Sequence, residues 1–154
     1  MANHQTLTVQ HFLDTKLQAR LATLSACETG IIGTKNIEEV VGLPASLLQA
    51  GVAGVVASLW SVNELSTALL MIRFYDYWLG EEKLTPAEAL RQAQIWLRDS
   101  TKAEKIKYVE KQGQNTQGTT RIAYNQLRVA LNKDSTECKY AHPYYWGAFG
   151  FTGV

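Results

Sequence analysis

One thiol stands where this chain could use it. Cys27 lies in the stretch 21–30, LATLSACETG, where a short apolar run meets small and polar residues. A thiolate can attack an acyl carbon and hold the acyl group as a thioester. Free thiols titrate near ~8.5, so attack at neutral pH needs a nearby cation, a helix N-terminus or a base. A free cysteine also serves as a small buried hydrophobe. Spacing by itself leaves both readings of Cys27 open. Glu28, next in the chain, could orient a catalytic group, but a glutamate at such a turn more often bonds its backbone N–H groups. The chain has two cysteines and three histidines, and none are closely paired, so there is no zinc pattern and no metal site is expected. Cys138 sits in a polar stretch and is read as incidental. His142, before Pro143, reads as a turn residue.

Cys27 needs a scaffold. Leu21 to Ala26 reads as a first strand, and Val52 to Trp60, VAGVVASLW, as a second. The near-continuous apolar run of the second is the pattern of a strand buried on both faces of a parallel sheet. Parallel sheets bind ligands outside the carboxyl ends of their strands. If the two strands are parallel, Ser58, Trp60 and Ser61 share a sheet edge with Cys27 and form a pocket wall. The plainer reading packs Trp60 under the next helix.

Helices fill the intervals. Residues 36–49 read as helix, with Asn36 as cap and Gly42 and Pro44 predicting a break. Gly51 fits the position just past its end. Residues 63–79 form a helix with a broad apolar arc, Leu65, Ala68, Leu69, Ile72 and Leu79 beside Leu70, Phe74 and Trp78, ended by Gly80. Thr85-Pro86-Ala87-Glu88 is a capping box with proline at the first helical position. It opens a helix to about Leu97 that buries Leu90, Ala93 and Leu97. The segment 99–120 is polar and reads as an exposed excursion, part helix and part loop, with Lys102 to Lys111 as a solvated face. A short helix over 121–131 follows. The closing run HPYYWGAFGFT reads as a final strand, its aromatics Tyr144, Tyr145 and Trp146 in the core rather than a ligand-stacking set.

The totals set limits. With 154 residues, 46% apolar and 19% charged, the chain suits one globular domain with a sizeable core. A net charge of +1 offers no field for nucleic acid or an anionic membrane, so neither is expected as a partner. No apolar run reaches the ~18 to 20 residues of a membrane helix, and the first residues lack the pattern of a secretion signal. Reduced thiols in the cytoplasm are therefore expected, and no cofactor is called for.

Three ordered motifs carry a resemblance. LSACETG, then AGVAGVVASLW with a long helix and PAEALRQAQ, then HPYYWGAFGFTG together resemble the carboxyl-terminal part of a CHAT domain. That is the caspase-like domain often associated with tetratricopeptide repeats. The resemblance covers roughly residues 7 to 98 and 139 to 154. It implies an α/β fold, a caspase-like sandwich of a mostly parallel sheet flanked by helices, here lacking the first strands. It also implies cysteine endopeptidase chemistry on a polypeptide substrate, with Cys27 at the nucleophile position and its backbone N–H in the oxyanion hole. The family's general base is a histidine followed by glycine. Here His4 precedes Gln5, His11 precedes Phe12 and His142 precedes Pro143, so that motif has no match. Metacaspases carry an acidic residue two positions before the cysteine to bind a basic substrate side chain. This chain has Ser25 there, which does not support cleavage after Lys or Arg. Ser25, Ser58, Trp60 and Glu64 are the candidate substrate-binding positions.

The expectation is a single partial CHAT-like domain over 1–154 with a polar excursion at 99–137, inactive by itself and completed by its missing half. Two other readings stand beside it: a non-catalytic interaction module of the same fold, and a homo-oligomer formed through an exposed sheet edge.

Overall fold

The computed structural model describes residues 16–25, 37–133 and 139–154. Cys27, Glu28, Asn36 and Cys138 lie outside the described residues. The chain divides into two compact units, residues 1–62 with 148–154, and residues 63–147.

The first unit holds a three-stranded sheet. Its strands are β1 (Ala22–Leu24), β2 (Gly54–Ser58) and β3 (Phe149–Gly153), in the order β1-β2-β3. β1 and β2 are parallel, with Ala22 opposite Val55 and Leu24 opposite Ala57. β2 and β3 are antiparallel, with Gly54 opposite Gly153 and Ser58 opposite Phe149. The described sheet is thus mixed, and the expectation of a mostly parallel one is corrected. β2 is central, as its apolar run predicts. Consecutive residues of a strand face opposite ways, and both Val55 and Val56 are buried. Leu47, Val52 and Val55 form a core with Leu17, Leu24 and Leu48 packed against it.

Helix α1 (Ile37–Gln49) runs unbroken through Pro44, against the predicted break. A proline at its eighth position removes the donor to the carbonyl of residue 40. The carboxyl half of α1 holds on because Ser46 and Leu47 are buried, with Leu47 in the core of this unit. Past the helix, Gly51 has φ +104, and a Cβ there would collide with the carbonyl oxygen of Leu17. Leu17 N also donates to Ala50 O at 2.7 Å. The turn therefore needs glycine for its backbone angle and for the close approach.

The second unit is helical: α2 (Glu64–Leu79), α3 (Pro86–Asp99), α4 (Lys102–Gln114), α5 (Gly118–Lys133), a 3-10 turn (Lys139–Ala141) and a helical turn α6 (Pro143–Trp146). α2 packs on α3, α4 on α5, and α6 against both α2 and α3. Leu69, Leu70 and Phe74 of α2 and Ala89, Leu90, Ala93 and Leu97 of α3 are all buried. Leu79 departs from the predicted apolar arc and is exposed. Both expected features of α3 are present: Pro86 at the first position, and Thr85 and Glu88 in a reciprocal capping box.

Two expectations are refined here for local reasons. The polar segment after Leu97, expected as part helix and part loop, forms α4 and α5, a packed helix pair, and the helix expected over 121–131 lies within α5. Thr101 and Glu104 form a second capping box that starts α4. Lys105, Val109 and Gly113 on its inner face are buried, so the stretch from Lys102 to Lys111 is not one solvated face. The closing aromatic run is not one strand either. His142 accepts from the backbone N–H of Tyr144 through Nδ1 at 3.2 Å, and Pro143 presets the helical turn. Only Phe149–Gly153 is strand. Tyr145 packs edge-on to Tyr140 and Tyr144, and Tyr144 is exposed rather than core.

Candidate functional site

β1 and β2 end at the same end of the sheet because they run parallel. Ser25 follows the last residue of β1 and is exposed; Ser58 closes β2 and is half-buried. The register Leu24 to Ala57 makes them neighbours in sequence of paired residues. Beyond Ser58 the chain turns outward. Leu59 N donates to Ala148 O at 2.7 Å, which anchors the turn to the start of β3. Leu59 is 57% exposed and Trp60 41% exposed. The carboxyl ends of β1 and β2 therefore carry one exposed and one half-buried hydroxyl, with two large exposed apolar side chains just beyond β2. Among the described residues no group of three histidines, cysteines or carboxylates could hold a metal ion.

Glu64, the fourth candidate, belongs to the second unit. It is the first residue of α2, with Asn63 as cap accepting from Ser66 N at 3.1 Å. A carboxylate there complements the positive end of the helix. It sits on the rim of an apolar groove of about 490 Å³ between α2 and α5. Leu65, Ala68 and Ile72 form one wall, and Ala123, Leu127 and Ala130 the other.

The second unit also holds a polar cluster that sequence reading missed. Arg73 Nη1 donates to Asp76 Oδ2 at 2.8 Å, and Nη2 donates to the Tyr77 hydroxyl at 2.8 Å. The guanidinium lies 4.1 Å from the Tyr77 ring centre, 4.8 Å from that of Tyr108 and 5.6 Å from that of Trp96. The Tyr108 hydroxyl donates to Asp76 Oδ2 at 3.1 Å. Burial, and then the Asp76 carboxylate, push the Tyr108 hydroxyl well above the ordinary tyrosine pKa, although Arg73 pulls it down. The spacing Arg73, Asp76, Tyr77 is i, i+3, i+4 on one helix face, which was a readable signal. Tyr108 and Trp96 come from other helices and gave none. Nearby, Lys105 is buried with its Nζ donating to Ser100 O and lying near the rings of Trp96 and Tyr140. Both cations are held by carbonyl, carboxylate and ring acceptors, an arrangement that ties helices together.

A mixed α/β architecture with a central apolar strand beside a parallel neighbour defines the class. The CHAT domain family model matches residues 1–154, and the chain belongs to that family, whose fold is caspase-like and of peptidase type. No curated protein and no solved structure matches the chain significantly. No described helix is long and apolar enough to cross a membrane.

Proposed function

We propose that this chain is the carboxyl-terminal part of a CHAT-type cysteine endopeptidase domain, with Cys27 as nucleophile and the first strands supplied from outside these 154 residues. The observation that carries the reading is the parallel pairing of β1 and β2, because it sets their carboxyl ends side by side. Cys27 follows the last residue of β1 by three positions in the sequence. Family membership supplies the peptidase chemistry as the expectation.

In this mechanism the Cys27 sulfur attacks the peptide carbonyl carbon as a histidine takes the thiol proton. The carbonyl π electrons move to oxygen, which the Cys27 N–H stabilises. The tetrahedral intermediate collapses, the C–N bond breaks, and the imidazolium protonates the leaving amine. Water then hydrolyses the thioester and restores the thiol. Ser25, Ser58 and Trp60 form the substrate-facing edge of the sheet. The histidine comes from the segment that completes the sheet, since no His-Gly pair occurs among these residues. A working thiolate requires a reducing compartment, which suits the cytoplasm.

The test is the alkylation rate of Cys27 by iodoacetamide against pH, with Cys138 as internal control. In the 154-residue chain both thiols should follow the free-thiol value near ~8.5. With the histidine-bearing segment added, Cys27 should react fast at pH 6 while Cys138 does not, and peptide cleavage should disappear in Cys27→Ala. Equal rates for both cysteines in the completed protein would overturn the reading.

A further inference from the structure

We infer that the site takes a polypeptide with an uncharged apolar side chain, aliphatic or aromatic, beside the scissile bond, and that Leu59 and Trp60 select it. The inference rests on the peptidase reading for the reaction, and on the first unit alone for the chemistry of the ligand.

The carboxyl ends of the two parallel strands set the geometry. Leu24 is paired with Ala57, on strands ~4.8 Å apart, and Ser25 and Ser58 come next on each. Leu59 and Trp60 follow Ser58 directly. Within β2, Val55 and Val56 are buried, whereas Leu59 and Trp60 are both exposed. The change from buried to exposed apolar residues falls where the strand ends. The turn is also held in place. The Leu59 N–H bond to the Ala148 carbonyl continues the β2–β3 pairing one step past Ser58 and Phe149. A large apolar surface fixed by its backbone at the mouth of a site is preformed for a ligand.

The ligand's chemistry follows from what this end carries. The segments 21–25, 54–62 and 148–154 hold the three strands and the turn after β2, and they contain no Asp, Glu, Lys, Arg or His. Lys16 and Arg20 precede β1 and so belong to its opposite end. Seating an ionised side chain on Leu59 and Trp60 would strip water from the charge and give it no partner. Seating an aliphatic or aromatic one removes apolar surface of both molecules from water. The Trp60 ring can also stack with an aromatic ligand or meet it edge-on. Ser25 and Ser58 each bring one donor and two lone pairs, which suits the N–H and C=O groups of a peptide backbone.

A cation is the competing ligand. Glu38 and Glu39 lie in the first turn of α1, the helix between the two parallel strands, and an indole face attracts ammonium groups. Two observations favour the apolar ligand. Position 25, next to the end of β1, is a neutral serine. Leu59, the more exposed of the apolar pair, has nothing to offer an ammonium group.

The experiment is disulfide capture on the intact chain. Ser25→Cys combined with Cys27→Ser puts the reporting thiol on the edge beside β2, and Cys138 is the internal control. Each probe is a mixed disulfide of cysteamine with a thiol bearing an isobutyl, benzyl, aminobutyl or carboxyethyl group. The protein thiolate attacks the sulfur that bears the group, the S–S bond breaks, and cysteamine leaves as its thiol. Exchange in excess mercaptoethanol, read by peptide mass spectrometry, ranks the groups by the binding they gain. At position 25 the isobutyl and benzyl groups should be captured ~5-fold more than either charged group, the scale of a partly buried apolar side chain. Cys138 should show no ranking. Trp60→Ala, with the circular dichroism of its parent, should bring the preference below ~2-fold, the loss of most of that apolar contact. Preferential capture of the aminobutyl or carboxyethyl group, equal capture of all four, or a preference untouched by Trp60→Ala would overturn the proposal. Cys27 takes no part in the capture, so failure of the nucleophile in the alkylation test and failure of the apolar edge in this one are read separately.

Discussion

Arg73, Tyr108 and Lys105 show how single polar residues organise the helical unit. Tyr108 is neutral in the folded protein well past the ordinary tyrosine range, because burial and Asp76 oppose its ionisation. Its folded pKa is raised, so its contribution is fully present below the unfolded value near ~10 and is lost as pH rises through the folded value. Tyrosinate absorbance followed against pH should show late titration for Tyr108 and, to a smaller extent, Tyr124, and the latest-titrating component should be absent in Tyr108→Phe. Lys105 is 2% exposed, and truncating it removes packing along with an ammonium–carbonyl bond. Lys105→Ala should destabilise the protein by ~2 to 4 kcal/mol in urea unfolding, the range for a large-to-small core change. A loss under 0.5 kcal/mol, the scale of surface substitutions, would show the side chain to be a surface lysine after all.

At the scale of elements, the two capping boxes behave alike. Glu88 accepts from the Thr85 hydroxyl and N–H, and Glu104 from the same groups of Thr101. Thr85 lowers the pKa of Glu88 and Thr101 that of Glu104. A depressed folded value means that the cap contribution is present above the unfolded carboxylate pKa near ~4.3. It is lost as pH falls through the folded value. Thr101→Ala should lower stability by ~1 kcal/mol at pH 7, measured by thermal unfolding. The variant should also show a shallower loss between pH 5 and pH 3, since Glu104 then has no partner hydroxyl. The turn between α1 and β2 makes a sharper demand. Gly51→Ala forces a Cβ against the Leu17 carbonyl at a positive φ, and should cost ~2 kcal/mol or more, of the order set for strained backbone. Retention of parental stability would mean that this turn relaxes freely.

The whole molecule is built from one contiguous unit and one discontinuous unit. Residues 63–147 carry α2 to α6 without interruption, whereas the sheet takes β3 from the end of the chain. Expressed alone, 63–147 should give a helical spectrum and a cooperative melt, and Phe74→Ala within it should cost ~3 to 5 kcal/mol, because Phe74 is fully buried. A non-cooperative melt of the fragment would show that its core depends on the rest of the chain. Deleting 149–153 should instead strike the first unit. It strips the antiparallel partner from β2 and leaves a central apolar strand open to aggregation.

Much of this was legible from local chemistry. The capping box at Thr85, the glycine at position 51 and the valine-rich run of β2 each act through neighbours within a few residues. Their effect is the same in any context. Such signals place α2, α3 and β2 to within a few residues, and the LSACETG, AGVAGVVASLW and HPYYWGAFGFTG motifs carried the family. The rest depended on partners distant in sequence. Pro44 looked like a break because its local cost is visible, whereas the burial of Leu47 that offsets it is not. The segment after Leu97 looked solvated because only folding reveals which lysine turns inward; Lys105 needs Trp96 and Tyr140 around it. The closing aromatics looked like a strand by residue type, yet His142 and Pro143 start a helical turn. The direction of β3 was likewise undecided, because strand pairing is a long-range choice made by the sheet. Clefts follow the same rule: the groove between α2 and α5 is shaped by two helices whose distance no periodicity records. Sequence by itself determined the elements, their caps and the family; only the tertiary structure decided which faces meet, because burial is a property of pairs of elements.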